Sequence, residues 1–209
     1  MTFNQEVKKE LCRLESKKSC CEWAQLYAML VFSRTFPGQE TIFTTESKPV
    51  ADHFAQHLAG ITGTFATVRT DLRRLKEEAP RYSLCVEDKG QRELLAERFS
   101  LEYPSLVPAF LEKDCCVGAF FRGLFLLYGS VTNPEKGYHL ELGYRDENFR
   151  DCVAKCLQKV GLPIHQSSRK GKDFLYLKQS DQIVTFLTAV GAHQAVMEME
   201  NLRVQRQVL

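Results

Sequence analysis

Eight cysteines are the residues of this chain with the widest possible chemistry, because thiols can bind metal, form disulfides or act as nucleophiles. They are Cys12, Cys20, Cys21, Cys85, Cys115, Cys116, Cys152 and Cys156. Two vicinal pairs lie far apart in the sequence and do not form the CxxC knuckle typical of a zinc site. Cys152 and Cys156, four residues apart on a predicted helix, could offer two ligands, but no matching CxxC or HxxxH motif completes a set. The pattern predicts reduced, mostly buried thiols and no metal.

The histidines form one further pattern that is compatible with a metal. His53 and His57 are four residues apart on a predicted helix, but there is no HExxH motif and no third ligand. A solvated helix face is the favoured interpretation of this pair. The chain also has no P-loop, GxSxG or GxGxxG motif, so we expect no cofactor.

Two clusters of basic residues are the candidates for contact with DNA. Their members are Arg69, Arg73, Arg74 and Lys76 in the first half, and Arg169, Lys170 and Lys172 in the second. Two clusters at equivalent places would suit two-fold contact with phosphates. Glu77 and Glu78 follow the first cluster, however, and Glu141 would repel phosphate. Solvated hairpin tips remain an equally good explanation, and a net charge of +2 does not decide between them.

An internal repeat is the most informative feature of the sequence. The segment CCEWAQLYAMLVFSRTF, from Cys20, aligns without gaps with CCVGAFFRGLFLLYGSV, from Cys115. Both segments are apolar nearly all round, so the two predicted helices should be buried against each other. Ala28 and Gly123 occupy equivalent positions, where small residues would let the helix backbones approach closely.

The elements after each of these helices follow the same order, so each half is predicted to be αββαββα in an α+β fold. The predicted organisation is an N-terminal helix (1–19), a first half (20–102), a linker (103–114), a second half (115–193) and the start of a further helix (194–209). Gly60 and Gly161 are predicted to stop equivalent helices. The last helix has no Gly or Pro stop, which favours a truncated chain with more protein following it.

The longest apolar stretch, Val117 to Val131, is too short to span a bilayer and is interrupted by Arg122. No signal peptide is visible at the N-terminus. These features predict a cytoplasmic protein, associated with the nucleoid if it contacts DNA, and no membrane partner.

Two apolar helices that each lead into an αβ half resemble the LAGLIDADG homing endonuclease fold. FFRGLFLLYGSV looks like a degenerate form of that motif. The chain further resembles the WhiA family of bacterial sporulation and cell-division regulators, through FNQEVKKEL, RGLFLLYGSVTNPEKGYHLEL and KGKDFLYLK together with VGAHQAVMEMENLRV. The resemblance implies a monomeric pseudo-dimer with saddle-shaped antiparallel sheets and two packed central helices. It also implies DNA binding mainly through a helix-turn-helix domain, beyond the residues present here, in a regulator of sporulation, cell division and chromosome segregation.

The resemblance also shows what chemistry is missing. LAGLIDADG nucleases need an acidic residue at the foot of each central helix to hold a divalent metal. The aligned positions here are Ser33 and Tyr128, and Glu135 in a predicted turn cannot replace a symmetric pair. We therefore expect a non-catalytic regulator. A module in which the saddle binds a protein partner is the alternative, and an active nuclease is a distant third.

Overall fold

The computed structural model describes residues 1–16, 18–33, 38–71, 80–101, 112–144, 147–169 and 171–208. Its contacts divide the chain into two compact units, one of Ser16–Gly123 and one of Met1–Glu15 with Leu124–Leu209. Arg73, Arg74, Lys76, Lys170 and most of the predicted linker lie outside the described residues. The predicted domain boundaries stay a prediction. No described helix is long and apolar enough to cross a membrane.

The unit Ser16–Gly123 contains a three-stranded antiparallel sheet with the order β1-β3-β2. Its elements are α2 (Ser19–Phe32), β1 (Thr41–Thr45), α3 (Lys48–Thr62), β2 (Thr67–Asp71), β3 (Arg81–Cys85), α4 (Lys89–Arg98) and most of α5 (Asp114–Tyr128). The buried residues of α3 recur at helical spacing, with Val50, Phe54 and Leu58 each fully buried. The Phe54 and Phe43 rings lie 5.8 Å apart, so α3 covers one face of the sheet, and on the other, open face Thr67 and Arg69 are exposed.

The end of α3 corrects one prediction. The helix passes through Gly60 and ends at Gly63, whose φ of +72° is the left-handed conformation that glycine adopts most easily. Gly63 N–H donates to Ala59 O at 2.9 Å, which closes the last turn. The other predicted stop is confirmed, because Gly161 has a φ of +73° just after α6.

The second unit is built on a four-stranded antiparallel sheet with the order β4-β5-β7-β6. It contains α1 (Phe3–Cys12), the last turn of α5, β4 (Gly129–Val131), β5 (Leu140–Gly143), α6 (Glu147–Lys159), β6 (His165–Arg169), β7 (Lys172–Leu177), α7 (Ser180–Val190) and α8 (His193–Val208). The order α5-β4-β5-α6-β6-β7-α7 confirms the predicted αββαββα pattern for the second half. In the first half, the counterpart of β4 would fall at 34–37, outside the residues described.

The close approach of α2 and α5 predicted from the repeat is confirmed within the unit Ser16–Gly123. A Cβ placed on Gly123 would lie 2.5 Å from Gln25 O and 3.0 Å from Ala28 Cβ. The rings of Phe32 and Phe120 meet edge to face, 5.9 Å apart. Glycine is therefore required at this crossing by the space available and not by its backbone conformation.

Lys8 of α1 lies in apolar surroundings beside the last turn of α5. Its ammonium donates to Leu126 O at 3.1 Å and lies 5.8 Å from the centre of the Phe125 ring. Burial lowers the pKa of Lys8 from 10.5 to about 8, against the opposing influence of the Cys12 thiol. A positive charge at this position opposes folding while the hydrogen bond supports it.

We expect Lys8→Met to change how stability depends on pH. The native lysine releases its proton near pH 8 and the unfolded one near 10.5, so between these values the unfolded state binds more protons and wild-type stability rises. The advantage of Lys8→Met over the wild type should therefore shrink by up to about 3 kcal/mol as the pH rises through this window. Urea unfolding at a series of pH values measures the difference. Lys89→Met, at an exposed lysine, should give a difference that is small and constant, and a constant difference for Lys8→Met would contradict the prediction.

Candidate nucleic-acid interface

Ser33 stands at the foot of α2, where a nuclease of this fold would need an acid. It is fully buried, and its hydroxyl donates to Leu30 O at 2.7 Å. Its own N–H donates to Met29 O and Leu30 O, and its ψ of 126° turns the chain out of the helix. Ser33 therefore ends a helix and satisfies a carbonyl, and it offers no charge to a metal.

Tyr128 is the last residue of α5 and is half-buried. A Cβ on Gly143 of β5 would lie 3.3 Å from Tyr128 Cβ, so the tyrosine packs closely on this strand. Glu135 is exposed in the β4–β5 loop, and its backbone carbonyl accepts from Arg206 of α8 at 2.9 Å. A phenol such as that of Tyr128 is a poor ligand for Mg²⁺, which prefers carboxylates and water.

The open face of the sheet β1-β3-β2 carries Arg69. Strand alternation places Thr67, Arg69 and Ser83 on this face, opposite the face on which Phe43 and Leu84 are buried. Arg69 is about half exposed and forms ion pairs with Glu40 at 2.6 Å and Glu87 at 2.8 Å. The Glu87 carboxylate, ahead of that of Glu40, raises the pKa of Arg69. Arg69 is therefore already neutralised by two acids.

The open face of the other sheet carries Arg169 in a similar arrangement. Arg169 donates to Glu141 Oε2 at 3.0 Å, and its guanidinium lies 5.3 Å from the centre of the Phe174 ring. Glu141 is only 14% exposed and also meets His139 Nε2 at 2.9 Å. Tyr176 lies at the centre of this face. The sheet thus presents polar and aromatic groups, the kind that contact sugar, phosphate and bases.

Two histidine rings on this face pack against Tyr176, one stacked and one tilted. His139 lies 5.5 Å from it and His165 lies 5.4 Å from it, between ring centroids. Alternation along β6 and β7 places His165, Phe174 and Tyr176 on one face, a signal in the sequence from which this cluster could have been predicted. Lys172 begins β7 and pairs with Arg169 in the ladder.

His53 and His57 correct a prediction, because they do not form a solvated helix face. His53 Nε2 accepts from Gln25 Nε2 at 2.7 Å, and His57 Nε2 donates to Glu22 O at 2.9 Å. Burial is the main cause that lowers the pKa of His57. Both rings therefore fasten α3 to α2, and the Nε2 atom of each ring is engaged with a group of α2.

The cysteines are free and mostly buried, as predicted, but the structure brings the two vicinal pairs together, which their spacing in the sequence did not predict. The sulfur atoms of Cys20, Cys21, Cys115 and Cys116 all lie within 4.8 Å of one another, although the two pairs are 95 positions apart. The gapless repeat could have predicted this cluster, because two packed copies of one helix bring their equivalent first turns, and the cysteines in them, close together. Cys152 and Cys156, by contrast, are buried on α6 and interact with each other, which raises the pKa of Cys152.

Comparisons with known proteins agree with this architecture. Residues 117–209 match the family model of the WhiA LAGLIDADG-like domain. The chain is 36% identical over 214 residues to the probable cell division protein WhiA of Desulfitobacterium hafniense (strain Y51), covering 98% of this chain and 67% of that protein. It is 32% identical over 218 residues to the corresponding protein of Heliobacterium modesticaldum, with the same coverage.

Solved structures show the same fold. Full-length DUF199/WhiA from Thermatoga maritima superposes with a TM-score of 0.77 at 20% identity, over all of this chain and 68% of that one. Mesophilic variants of the homing endonuclease I-DmoI superpose with a TM-score of 0.55 at 15% identity, over 83% of this chain and 91% of theirs. I-DmoI in complex with DNA and Mn gives 0.50 at 14% identity, over 83% and 98%.

The two antiparallel sheets, the order of elements and these neighbours define an α+β protein of the LAGLIDADG fold. That class includes nucleases, but its fold alone does not specify cleavage. The chain belongs to the WhiA family of cell division proteins.

Proposed function

We propose that this chain is a non-catalytic regulatory domain of a bacterial DNA-binding transcriptional regulator that acts in cell division, sporulation and chromosome segregation. The observation that carries the proposal is the identity of the residues at the C-terminal ends of α2 and α5, Ser33 and Tyr128. Ser33 is buried and bonded to its own helix, and Tyr128 is packed on Gly143. Neither Ser33 nor Tyr128 offers the carboxylate that a divalent metal would need at the positions aligned with the metal-binding acids of LAGLIDADG nucleases.

The proposed contact with DNA is weak and is made through phosphates. The homing endonuclease I-DmoI, which shares the fold, has been solved in complex with DNA. In this chain, Arg69 and Arg169 lie on open sheet faces but are paired with carboxylates. When DNA binds, each arginine must break its ion pair with a carboxylate before it can contact a phosphate, so the net gain in binding free energy is small. Sequence reading would then belong to a helix-turn-helix domain of the full protein.

We expect Glu141→Gln to strengthen the binding of duplex DNA by about threefold to tenfold, because it removes a competing charge and leaves Arg169 available to a phosphate. Arg169→Ala should weaken binding and reduce the slope of log K against log salt by about one. Fluorescence anisotropy with a duplex of arbitrary sequence, between about 50 and 200 mM salt, measures both. Asp181→Asn, which also breaks an ion pair between a carboxylate and an arginine but does so on α7, is the matched control and should leave affinity unchanged.

Two outcomes would contradict this function. Failure of the wild type and of Glu141→Gln to bind DNA at low salt would remove direct DNA contact and favour a module that binds a protein partner. Cleavage of DNA that depends on Mg²⁺ or Mn²⁺, and is lost on Glu135→Gln, would contradict the non-catalytic assignment.

A further inference from the structure

Four thiols meet where two helices begin. Cys20 and Cys21 lie in the first turn of α2, and Cys115 and Cys116 lie in the first turn of α5. All four sulfur atoms lie within 4.8 Å of one another, and all belong to the unit Ser16–Gly123. Among the residues that the structure describes, this is the one group of three or more His, Cys, Asp or Glu side chains close enough to share an ion.

The spacing suits a single tetrahedral ion. Zinc–sulfur bonds of about 2.3 Å place the sulfurs of a Cys₄ site roughly 3.8 Å apart, so small rotations about the Cα–Cβ bonds would close this cluster onto one ion. An iron–sulfur cluster holds its cysteines further apart than a single ion does, because several iron atoms stand between them. Soft thiolates also favour zinc over magnesium or calcium.

The surroundings combine a closed interior with one open side. Cys21 and Cys116 are buried together with Ala24 and Ala119, the small residues one turn further along each helix. Cys20 is half-buried and Cys115 is exposed, so an ion could enter from the side of Cys115. Closed surroundings with four protein ligands are typical of structural zinc sites, which leave no position for a substrate.

The electrostatic setting differs among the four thiols, since it favours the thiolate at Cys20 and disfavours it at Cys21 and Cys116. Both helices direct their positive N-terminal ends toward the sulfurs, and among the described side chains none caps the first amides of α2. Hydrogen bonds from the neighbouring thiols, first that of Cys116, lower the pKa of Cys20, and Lys113 acts in the same direction. Burial raises the pKa of Cys21 to about 11 and that of Cys116 to about 12. These two therefore stay protonated at neutral pH unless a cation displaces their protons.

We propose that Cys20, Cys21, Cys115 and Cys116 bind one Zn²⁺ ion as a structural site that fastens the first turns of α2 and α5 to each other. Four S–H bonds break, four Zn–S bonds form, and the four protons pass to solvent. Zinc stays divalent, so no oxidant or reductant is needed. Because the site exists only in the folded chain, binding free energy adds to folding free energy.

The test is the metal content of the untagged protein, purified without chelators from medium that contains zinc. Mass spectrometry of the metals should find about one zinc per chain, and Cys116→Ser should reduce this to below about 0.2. Cobalt added to the apoprotein should give the intense visible bands of a tetrahedral thiolate complex. Cys85→Ser is the matched control: Cys85 is equally buried, lies outside the cluster and bonds to Thr41, so zinc content should not change.

A second variant keeps the test decisive if Cys116→Ser does not fold. Cys115→Ser changes an exposed side chain and should also lose most of the zinc and the cobalt bands. Removal of zinc by a chelator should lower the Tm of the wild type but not that of Cys115→Ser. Absence of metal from the wild type, zinc content unaffected by either variant, or cysteines recovered as disulfides from protein kept under reducing conditions would each overturn the proposal.

Discussion

Replacing Gly123 by alanine is expected to destabilise the protein by about 2–3 kcal/mol and to lower its Tm by about 5–10 °C. In an ordinary helix the same change stabilises, by about 1 kcal/mol. Here the added methyl group would lie 2.5 Å from the backbone oxygen of Gln25 and 3.0 Å from Ala28 Cβ, so α2 and α5 would have to move apart. Thermal unfolding followed by circular dichroism gives both the sign and the size.

Gly60→Ala is the matched control for this prediction. Gly60 also lies within a helix, is exposed, and has no atom within 4 Å of the position that a Cβ would occupy. It should raise the Tm slightly or leave it unchanged, because only helix propensity acts there. Equal effects of the two substitutions would show that the close approach at Gly123 does not limit the packing of these helices.

Gln25→Leu is the second substitution from which we expect a large loss, about 2–3 kcal/mol. Gln25 is only 2% exposed and connects three helices. Its Oε1 accepts from Arg122 at 3.3 Å, while its Nε2 donates to His53 at 2.7 Å. Leucine has a similar volume but removes both bonds, and the partly buried guanidinium loses an acceptor that no apolar group can replace. The midpoint of urea unfolding should fall with the m-value unchanged.

Gln182 of α7 provides the comparison. Its Oε1 is buried and accepts no hydrogen bond from any residue in the described part of the chain. Gln182→Leu removes an oxygen whose desolvation is not compensated, so stability should change by less than about 0.5 kcal/mol or increase. A loss at Gln182 as large as that at Gln25 would mean that side-chain volume, and not hydrogen bonding, determines the cost at both positions.

Local patterns in the sequence predicted most of the fold. Helical spacing of apolar residues and strand alternation depend on neighbours in the chain, so the order of elements in the second half could be predicted from local patterns alone. The repeat predicted the small residues at the α2–α5 crossing, because equivalent positions of packed copies meet. The stop at Gly60 was wrong because either Gly60 or Gly63 could end α3, and only tertiary contacts decide which one does.

The candidate sites were harder to predict because their partners are distant in sequence. Arg69 is neutralised by Glu40 and Glu87, which belong to loops beside other strands, so counting charges near Arg69 could not reveal the pairing. The thiol cluster joins residues 95 positions apart. The spacing of residues within one short motif cannot predict contacts between segments so far apart in the sequence. His53 and His57 were placed in solvent because the position of α2 against α3 is a tertiary property.

The carboxylates that hold Arg69 and Arg169 have a consequence for ligand choice. An isolated phosphate or a mononucleotide can only replace the carboxylate that already pairs with each guanidinium, so this exchange gains little binding free energy. A polyanion presents many phosphates on one backbone, and after the first contact the others arrive at a high effective concentration. Under the proposed function, the paired arginines would therefore select long nucleic acid over abundant small anions.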